Sequence, residues 1–167
     1  KLLTASVSCV GVLVLVRAMP RALSLKTPEE LEHERNERQQ AEASLENERY
    51  LLHTIMDHLP DAIYFKDKNC RFQRVSKALP DRLGLDDPSQ AIGKTDADFF
   101  HDEYAGPALH DEQEMLRTGQ PLLSKEENPT WPDGTTSWVL TTKAPLYDRE
   151  SQIAGTFGIS RDISELK

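Results

Sequence analysis

The chain has 167 residues, a formal net charge of −8 at pH 7 and two cysteines. That is room for one domain of ordinary size plus an appendage, and the acidic balance argues against nucleic acid as a partner. Cys9 lies in an apolar run and Cys70 beside a turn, so no disulfide is expected between them. The charge is unevenly spread. Lys1 to Pro28 carries four basic residues and no acidic one, Glu29 to Leu59 carries nine acidic and three basic, and Pro60 to Lys167 carries 19 and 13.

Leu2 to Val16 is uncharged and mostly apolar, a little short of the ~20 residues that span a bilayer. Arg17, Arg21 and Lys26 follow before any acid, and such a cluster holds its side of a span in the cytoplasm. The expectation is the C-terminal part of a transmembrane helix over 1–17, then a juxtamembrane linker over 18–28. The chain would sit in a bacterial inner membrane through residues 2–16, with the remainder cytoplasmic. A secretory signal is the rival, but Ala18-Met19-Pro20-Arg21-Ala22 puts Arg where cleavage wants a small residue. A buried helix of a soluble domain is the other alternative, weakened because no second apolar helix is at hand to cover it. With Lys rather than Met at position 1, a fragment or a processed product is expected.

Thr27-Pro28-Glu29-Glu30 is a helix start: a hydroxyl cap, proline in the first turn, then acids. Leu31, Arg38, Leu45, Leu52 and Leu59 recur every seven residues, while Glu34 and Glu48 interrupt the second row of the heptad. This half-apolar seam predicts a stalk helix over 29–59 that pairs two subunits in parallel as a weak coiled coil. A solvated single helix is the alternative.

Pro60 ends the stalk. Ala62 to Lys66 alternates as a strand, Asp67-Lys68-Asn69 turns, and Arg71 to Ser76 returns as a second strand. Leu79 to Ala91, broken by Pro80, Gly84 and Pro88, reads as short helices and turns. Asp102 to Thr118 is a longer helix, stopped by Gly119. Three strands follow: Gln120 to Glu127, Ser137 to Tyr147 and Gln152 to Ser160. The order predicts an α+β domain over 60–162, an antiparallel sheet with helices across one face. Residues 163–167 can open a further helix.

Four stretches carry a family resemblance. They are Ala62-Ile63-Tyr64-Phe65-Lys66-Asp67, the run Ile92 to Phe100, Asp133-Gly134 followed by Trp138 and Pro145, and Gly158-Ile159-Ser160-Arg161-Asp162-Ile163-Ser164. Over Leu45 to Lys167 the chain resembles a PAS domain. The resemblance implies a five-stranded PAS fold and a sensory module whose last strand hands a conformational change to a following helix, through Asp162, Ile163 and Ser164. Ser76 departs from the Asn common at that position, and Ser164 replaces the usual Thr but keeps a hydroxyl. The stretch Val12 to Glu30 resembles, loosely, the membrane exit of ethylene-receptor-like sensor kinases. The copper-holding Cys and His of that family lie in an earlier helix outside this sequence, so no ethylene site is implied.

Asn69-Cys70-Arg71-Phe72-Gln73 echoes the flavin-binding, blue-light PAS subgroup. There the cysteine opens a helix, whereas here it follows a tight turn, with the thiol expected to point away from the pocket. His101 and His110 precede matching Asp-Glu pairs. Nine residues turn a helix by about 900°, placing them on opposite faces. Either alone would be the haem ligand of a haem-binding relative, with an exposed polar histidine the plainer reading, so no haem, flavin or metal is predicted. Asp96 and Asp98 are weighed as paired acids and read instead as capping, with Thr95 as cap and Asp98 reaching back. A pocket for an unknown small molecule is expected among Ile63, Phe65, Phe72, Phe99, Tyr104, Met115, Trp138, Leu140 and Phe157, with Ile159, against an ordinary packed core. Asp162 is expected to cap the outgoing helix at Glu165 and to pair with Arg161 or a sheet lysine. No catalytic residue is expected. The function expected is the input module of a sensor histidine kinase. A diguanylate cyclase or phosphodiesterase output, or a ligand-free scaffold that only holds dimers in register, remains the alternative.

Overall fold

A computed structural model describes residues 26–167. The apolar run 2–16 and its basic flank up to Arg21 lie outside the described residues. Among the described residues no helix is long and apolar enough to cross a membrane.

The first helix, α1, spans Pro28–His58. Its start is a reciprocal cap: Thr27 Oγ1 accepts from the N–H of Glu30, and the Thr27 N–H donates to Glu30 Oε2. In α1 only Met56 is buried. Leu31 and Leu52 stay 53% and 52% exposed, so the predicted seam is uncovered within one chain.

The chain divides into compact units at residues 49 and 50. The second unit holds the sheet. Its strands are β1 (Ala62–Asp67), β2 (Phe72–Val75), β3 (Leu122–Glu127), β4 (Val139–Tyr147) and β5 (Ile153–Asp162). They are ordered β2-β1-β5-β4-β3 and all neighbours are antiparallel. The first and last strands are therefore central neighbours, with Ala62 opposite Ser160 and Asp67 opposite Gly155. Between β2 and β3 run α2 (Ala78–Leu83), two short 3-10 turns, and α3 (Asp102–Thr118). Gly119 ends α3 at φ 72°, a conformation that favours glycine, and its N–H donates to the Met115 carbonyl. The predicted capping at Thr95 is present, its N–H donating to Asp98 Oδ2 at 2.7 Å.

The core gathers Ala62, Tyr64, Phe72, Val75, Leu79, Leu83, Ala91, Trp131 and Val139. Tyr64 and Phe72 meet edge to face at 5.9 Å, and Phe100 lies 5.5 Å from Trp131. Such aromatic pairs add about 0.5–1.5 kcal/mol beyond the area they bury.

Candidate ligand and relay site

Side chains alternate across a strand. Here the residues turned toward the helices are Ala62, Tyr64 and Lys66 on β1, Val139, Thr141 and Lys143 on β4, and Thr156, Gly158 and Ser160 on β5. Two of these positions are lysines. Opposite them α3 buries Ala105, Ala108, Glu112 and Met115, one face at helical spacing.

The charges meet there. Lys66 Nζ donates to Glu112 Oε1 and to Asp96 Oδ2, both at 2.7 Å. Lys143 Nζ stands 3.5 Å from the same Glu112 oxygen. Burial alone would push both ammonium groups down. For Lys66 the charges of Asp96 and Glu112 outweigh it, and for Lys143 those of Glu112 and Asp96, so both are held above the usual ammonium value. Lys66 also lies 4.5 Å from the centre of the Phe72 ring, a cation–π contact. Glu112 Oε2 and Thr156 Oγ1 are buried and have no hydrogen-bond partner among the described residues. Leaving such a group unsatisfied costs about 1–3 kcal/mol.

Between sheet and helices the enclosed space is about 30 Å³, lined in part by Tyr64, Phe72, Tyr104, Lys143 and Ser160. That is room for a water, far below the ~300 Å³ at which small-molecule sites begin. Of the residues expected around a pocket, Phe72, Phe99, Tyr104 and Met115 lie on the helix side. The other six do not. Ile63, Phe65, Phe157 and Ile159 have the opposite parity, with Phe65 and Phe157 stacked on each other at 6.0 Å. Trp138 and Leu140 flank the inward Val139. Both faces of β1 are apolar, so alternation alone could not decide which turned inward, and the buried ion pair draws Lys66 in.

Cys70 corrects a second expectation. It adopts φ 57°, a left-handed conformation invisible to the residue pattern, and its side chain is buried, 3% exposed, rather than turned outward. Burial, then the neighbouring Glu112, pushes its thiol up to about 12. His101 immediately precedes α3, with no capping bond from its side chain, and His110 lies within that helix, both exposed.

The C-terminal end of the sheet holds the relay residues. Arg161 grips Asp61 with both ends of its guanidinium: Nε lies 3.1 Å from each carboxylate oxygen and Nη2 2.8 Å from Oδ2. Asp61 belongs to the connection that follows α1. Ser76 Oγ accepts from the Ile63 N–H and donates to the Asp61 carbonyl, anchoring the same connection. Asp162 pairs with Arg82 of α2 at 3.0 Å, and the Arg82 guanidinium lies 5.3 Å from the centre of the Trp131 ring. Asp162 Oδ1 accepts from the Ser164 N–H at 2.8 Å, not from Glu165 as expected. The chain turns there into a 3-10 helix (Ser164–Leu166), too tight for the longer reach. Burial pushes the Asp162 carboxyl up, but hydrogen bonds from Ser164 and the Arg82 charge outweigh it and hold it below its ordinary value. Ser164 Oγ in turn accepts from the Trp138 N–H at 3.0 Å, the role left open for its hydroxyl.

The PAS fold model matches residues 56–167, two thirds of the chain. The chain belongs to the PAS family. PAS domains are sensory modules, and this one resembles the PAS regions of sensor proteins. It is 26% identical over 122 residues to the aerobic respiration control sensor protein ArcB of Escherichia coli (strain K12), 73% of this chain and 15% of that protein. It is 29% identical to the methanogenesis regulatory histidine kinase FilI of Methanothrix harundinacea (strain 6Ac), over 68% of this chain and 12% of the kinase. A diguanylate cyclase of Vibrio cholerae serotype O1 matches at 24% identity over 75% of this chain and 39% of the cyclase. Among solved structures, the PAS domain of a protein from Colwellia psychrerythraea superposes with a TM-score of 0.59 at 21% identity, covering 70% of this chain and 97% of that one. The chain thus spans about a seventh of the first curated relative it matches.

The sequence pattern missed Lys66, Lys143, Glu112, Asp61 and Arg82. One signal was present: a lysine at a strand position whose i−2 neighbours are apolar, as in Ala62-Ile63-Tyr64-Phe65-Lys66. Its partner lies 46 residues away, out of reach of local pattern.

Proposed function

We propose that this PAS domain is the input module of a membrane-anchored sensor histidine kinase. It would relay a signal to its output by moving the end of β5. The observation that carries this reading is the paired clamp at residues 161 and 162. Arg161 ties β5 to the segment that follows α1, and Asp162 ties it to α2 and to the start of the outgoing helix. Incoming and outgoing segments thereby share adjacent residues of one central strand.

The membrane anchor rests on the apolar run 2–16 with its basic flank, and the cytoplasmic placement on that flank. A parallel homodimer through α1 is supported by the uncovered leucine seam. The domain is read as working without haem or flavin: His101 and His110 are exposed, and Cys70 sits in a turn with a buried thiol. A cyclase output is the second reading, favoured by the match to a diguanylate cyclase.

Asp162→Ala in the full-length protein tests the relay. The expected outcome is a folded protein, about 1 kcal/mol less stable as for a lost cap, whose output no longer follows its stimulus. Unchanged regulation would reject the relay role.

A further inference from the structure

The enclosed space of about 30 Å³ between sheet and helices has a polar side, where Tyr64, Asp96, Tyr104, Lys143 and Ser160 stand. Strand register explains why three of them converge. Tyr64 of β1 and Lys143 of β4 both pair with Gly158 of β5, and Ser160 lies two residues along β5 on the same face. A Cβ on Gly158 would stand 2.4 Å from the Tyr64 ring, so the tip of that ring lies over β5, on the Lys143 side of its own strand. Lys143 is 2% exposed. Its ammonium has three N–H donors, and its ion-pair partner Glu112 Oε1 stands 3.5 Å away, the far limit of a hydrogen bond. Among the described residues the buried Tyr64 hydroxyl makes no well-formed hydrogen bond, while Ser160 Oγ meets Thr141 Oγ1 at 3.0 Å and keeps a lone pair. Burial pushes the Tyr64 phenol up, so at neutral pH it keeps its proton and can donate.

We propose that this space binds one structural water, which accepts from Lys143 Nζ and from the Tyr64 hydroxyl and donates to Ser160 Oγ. About three polar partners are what a buried water commonly has, and the space exceeds the ~10–15 Å³ that one needs. The nearby charges are balanced, two lysines against Glu112 and Asp96, so an ion has nothing to neutralise. An organic molecule is too large for the space. The water joins β1, β4 and β5 above Gly158, where no side chain fills the middle strand. It also links the buried charges to Ser160, one residue before the Arg161 that grips Asp61. A movement of α3, which carries Glu112, would reach that clamp through Lys143, the water and Ser160. The site stands on its own geometry, and only the route to the clamp rests on the sensory reading.

The test is a crystal structure of the 167-residue chain at a resolution that shows single waters, beside thermal melts. The expected result is one density peak within hydrogen-bond distance of Lys143 Nζ, Tyr64 Oη and Ser160 Oγ, and no such peak in Val139→Ile. Val139 lines the space, and the added methylene takes the room of the water. Because it displaces a bonded water, Val139→Ile should lower the melting temperature by about 2–4 °C, the shift of one lost hydrogen bond at this chain length. In a dry space the same methylene would fill a void and raise it. An unchanged or higher melting temperature in Val139→Ile would overturn the proposal. So would a wild-type structure with no peak there, or with a peak out of reach of Lys143 or Tyr64. Tyr64→Phe keeps the ring and removes one donor, so it serves even if Val139→Ile fails to fold. Its peak should weaken or vanish, and an undiminished one would overturn the proposal. In the full-length protein Tyr64→Phe should also shift basal output by about two- to tenfold, the scale of one hydrogen bond. Unchanged output beside an observed water would count against the route to the clamp and not against the site.

Discussion

Lys66 is a charge in the middle of a sheet, and its surroundings explain how it stays there. A lone buried ammonium is too costly to keep. Glu112 and Asp96 at 2.7 Å, with the Phe72 ring alongside, make the site tolerable. Removing one partner of a buried pair strands the other, at about 3–5 kcal/mol. Glu112→Ala leaves Lys143 without its partner and Lys66 with Asp96 alone, whereas Lys66→Met leaves Glu112 still near Lys143. Chemical denaturation should therefore show the greater loss for Glu112→Ala, and Lys66→Met should cost less in that background than alone. Two glycines make a second residue-scale contrast. A Cβ on Gly155 would stand 2.0 Å from the Lys66 carbonyl oxygen, and one on Gly158 2.4 Å from the Tyr64 ring. A ring can rotate away, whereas the carbonyl is fixed by the β1–β5 ladder. Gly158→Ala should cost about 1–3 kcal/mol, the usual range for overpacking, and Gly155→Ala more. A melting curve in which Gly155→Ala is the milder change would refute the argument. The glycines stand in the sequence, but the closeness of their neighbours does not.

At the scale of elements, most of the architecture was legible. The cap at Thr27, the stop at Pro60, the hairpin turn and the α3 limits all rest on local chemistry and appear where that chemistry predicts. Strand edges moved by two residues or so, as with β3 beginning at Leu122 and not Gln120. The inward parity of β1, β4 and β5 was not legible, because apolar residues occupy both faces and the deciding ion pair spans 46 residues. The α1 seam leads to a test of its own. Leu31, Leu45, Leu52 and Leu59 remain 43–53% exposed, and burying each against a partner contributes about 1.5–3 kcal/mol before the cost of association. Sedimentation of a chain beginning at Pro28 should show a dimer that Leu52→Glu dissociates. A monomer at high micromolar concentration would contradict the stalk reading.

For the molecule as a whole, the paired charges set a pH window. Lys66 and Lys143 are held above the ordinary value of 10.5 in the folded state. Their contribution is complete below that value and is lost as pH rises through the folded one. Asp162 is held below 3.8, so its contribution is complete above that value and is lost as pH falls through the folded one. Stability measured by denaturation should thus hold through the neutral range, and its alkaline loss should shrink in Lys66→Met.

The account's central claim is that the incoming and outgoing segments are coupled through the end of β5. The Asp61–Arg161 pair tests it most directly, since it joins residues 100 positions apart and can be reversed. The measurement is the output of the full-length protein, autophosphorylation on the kinase reading proposed above, in Asp61→Arg, Arg161→Asp and the double exchange, beside thermal melts of each. The account predicts that each single reversal shifts basal output by about two- to fivefold, the scale of an ion pair whose arginine is open to solvent, and that the exchange restores it. Folded single variants with wild-type output, or an exchange no better than either single change, would contradict it.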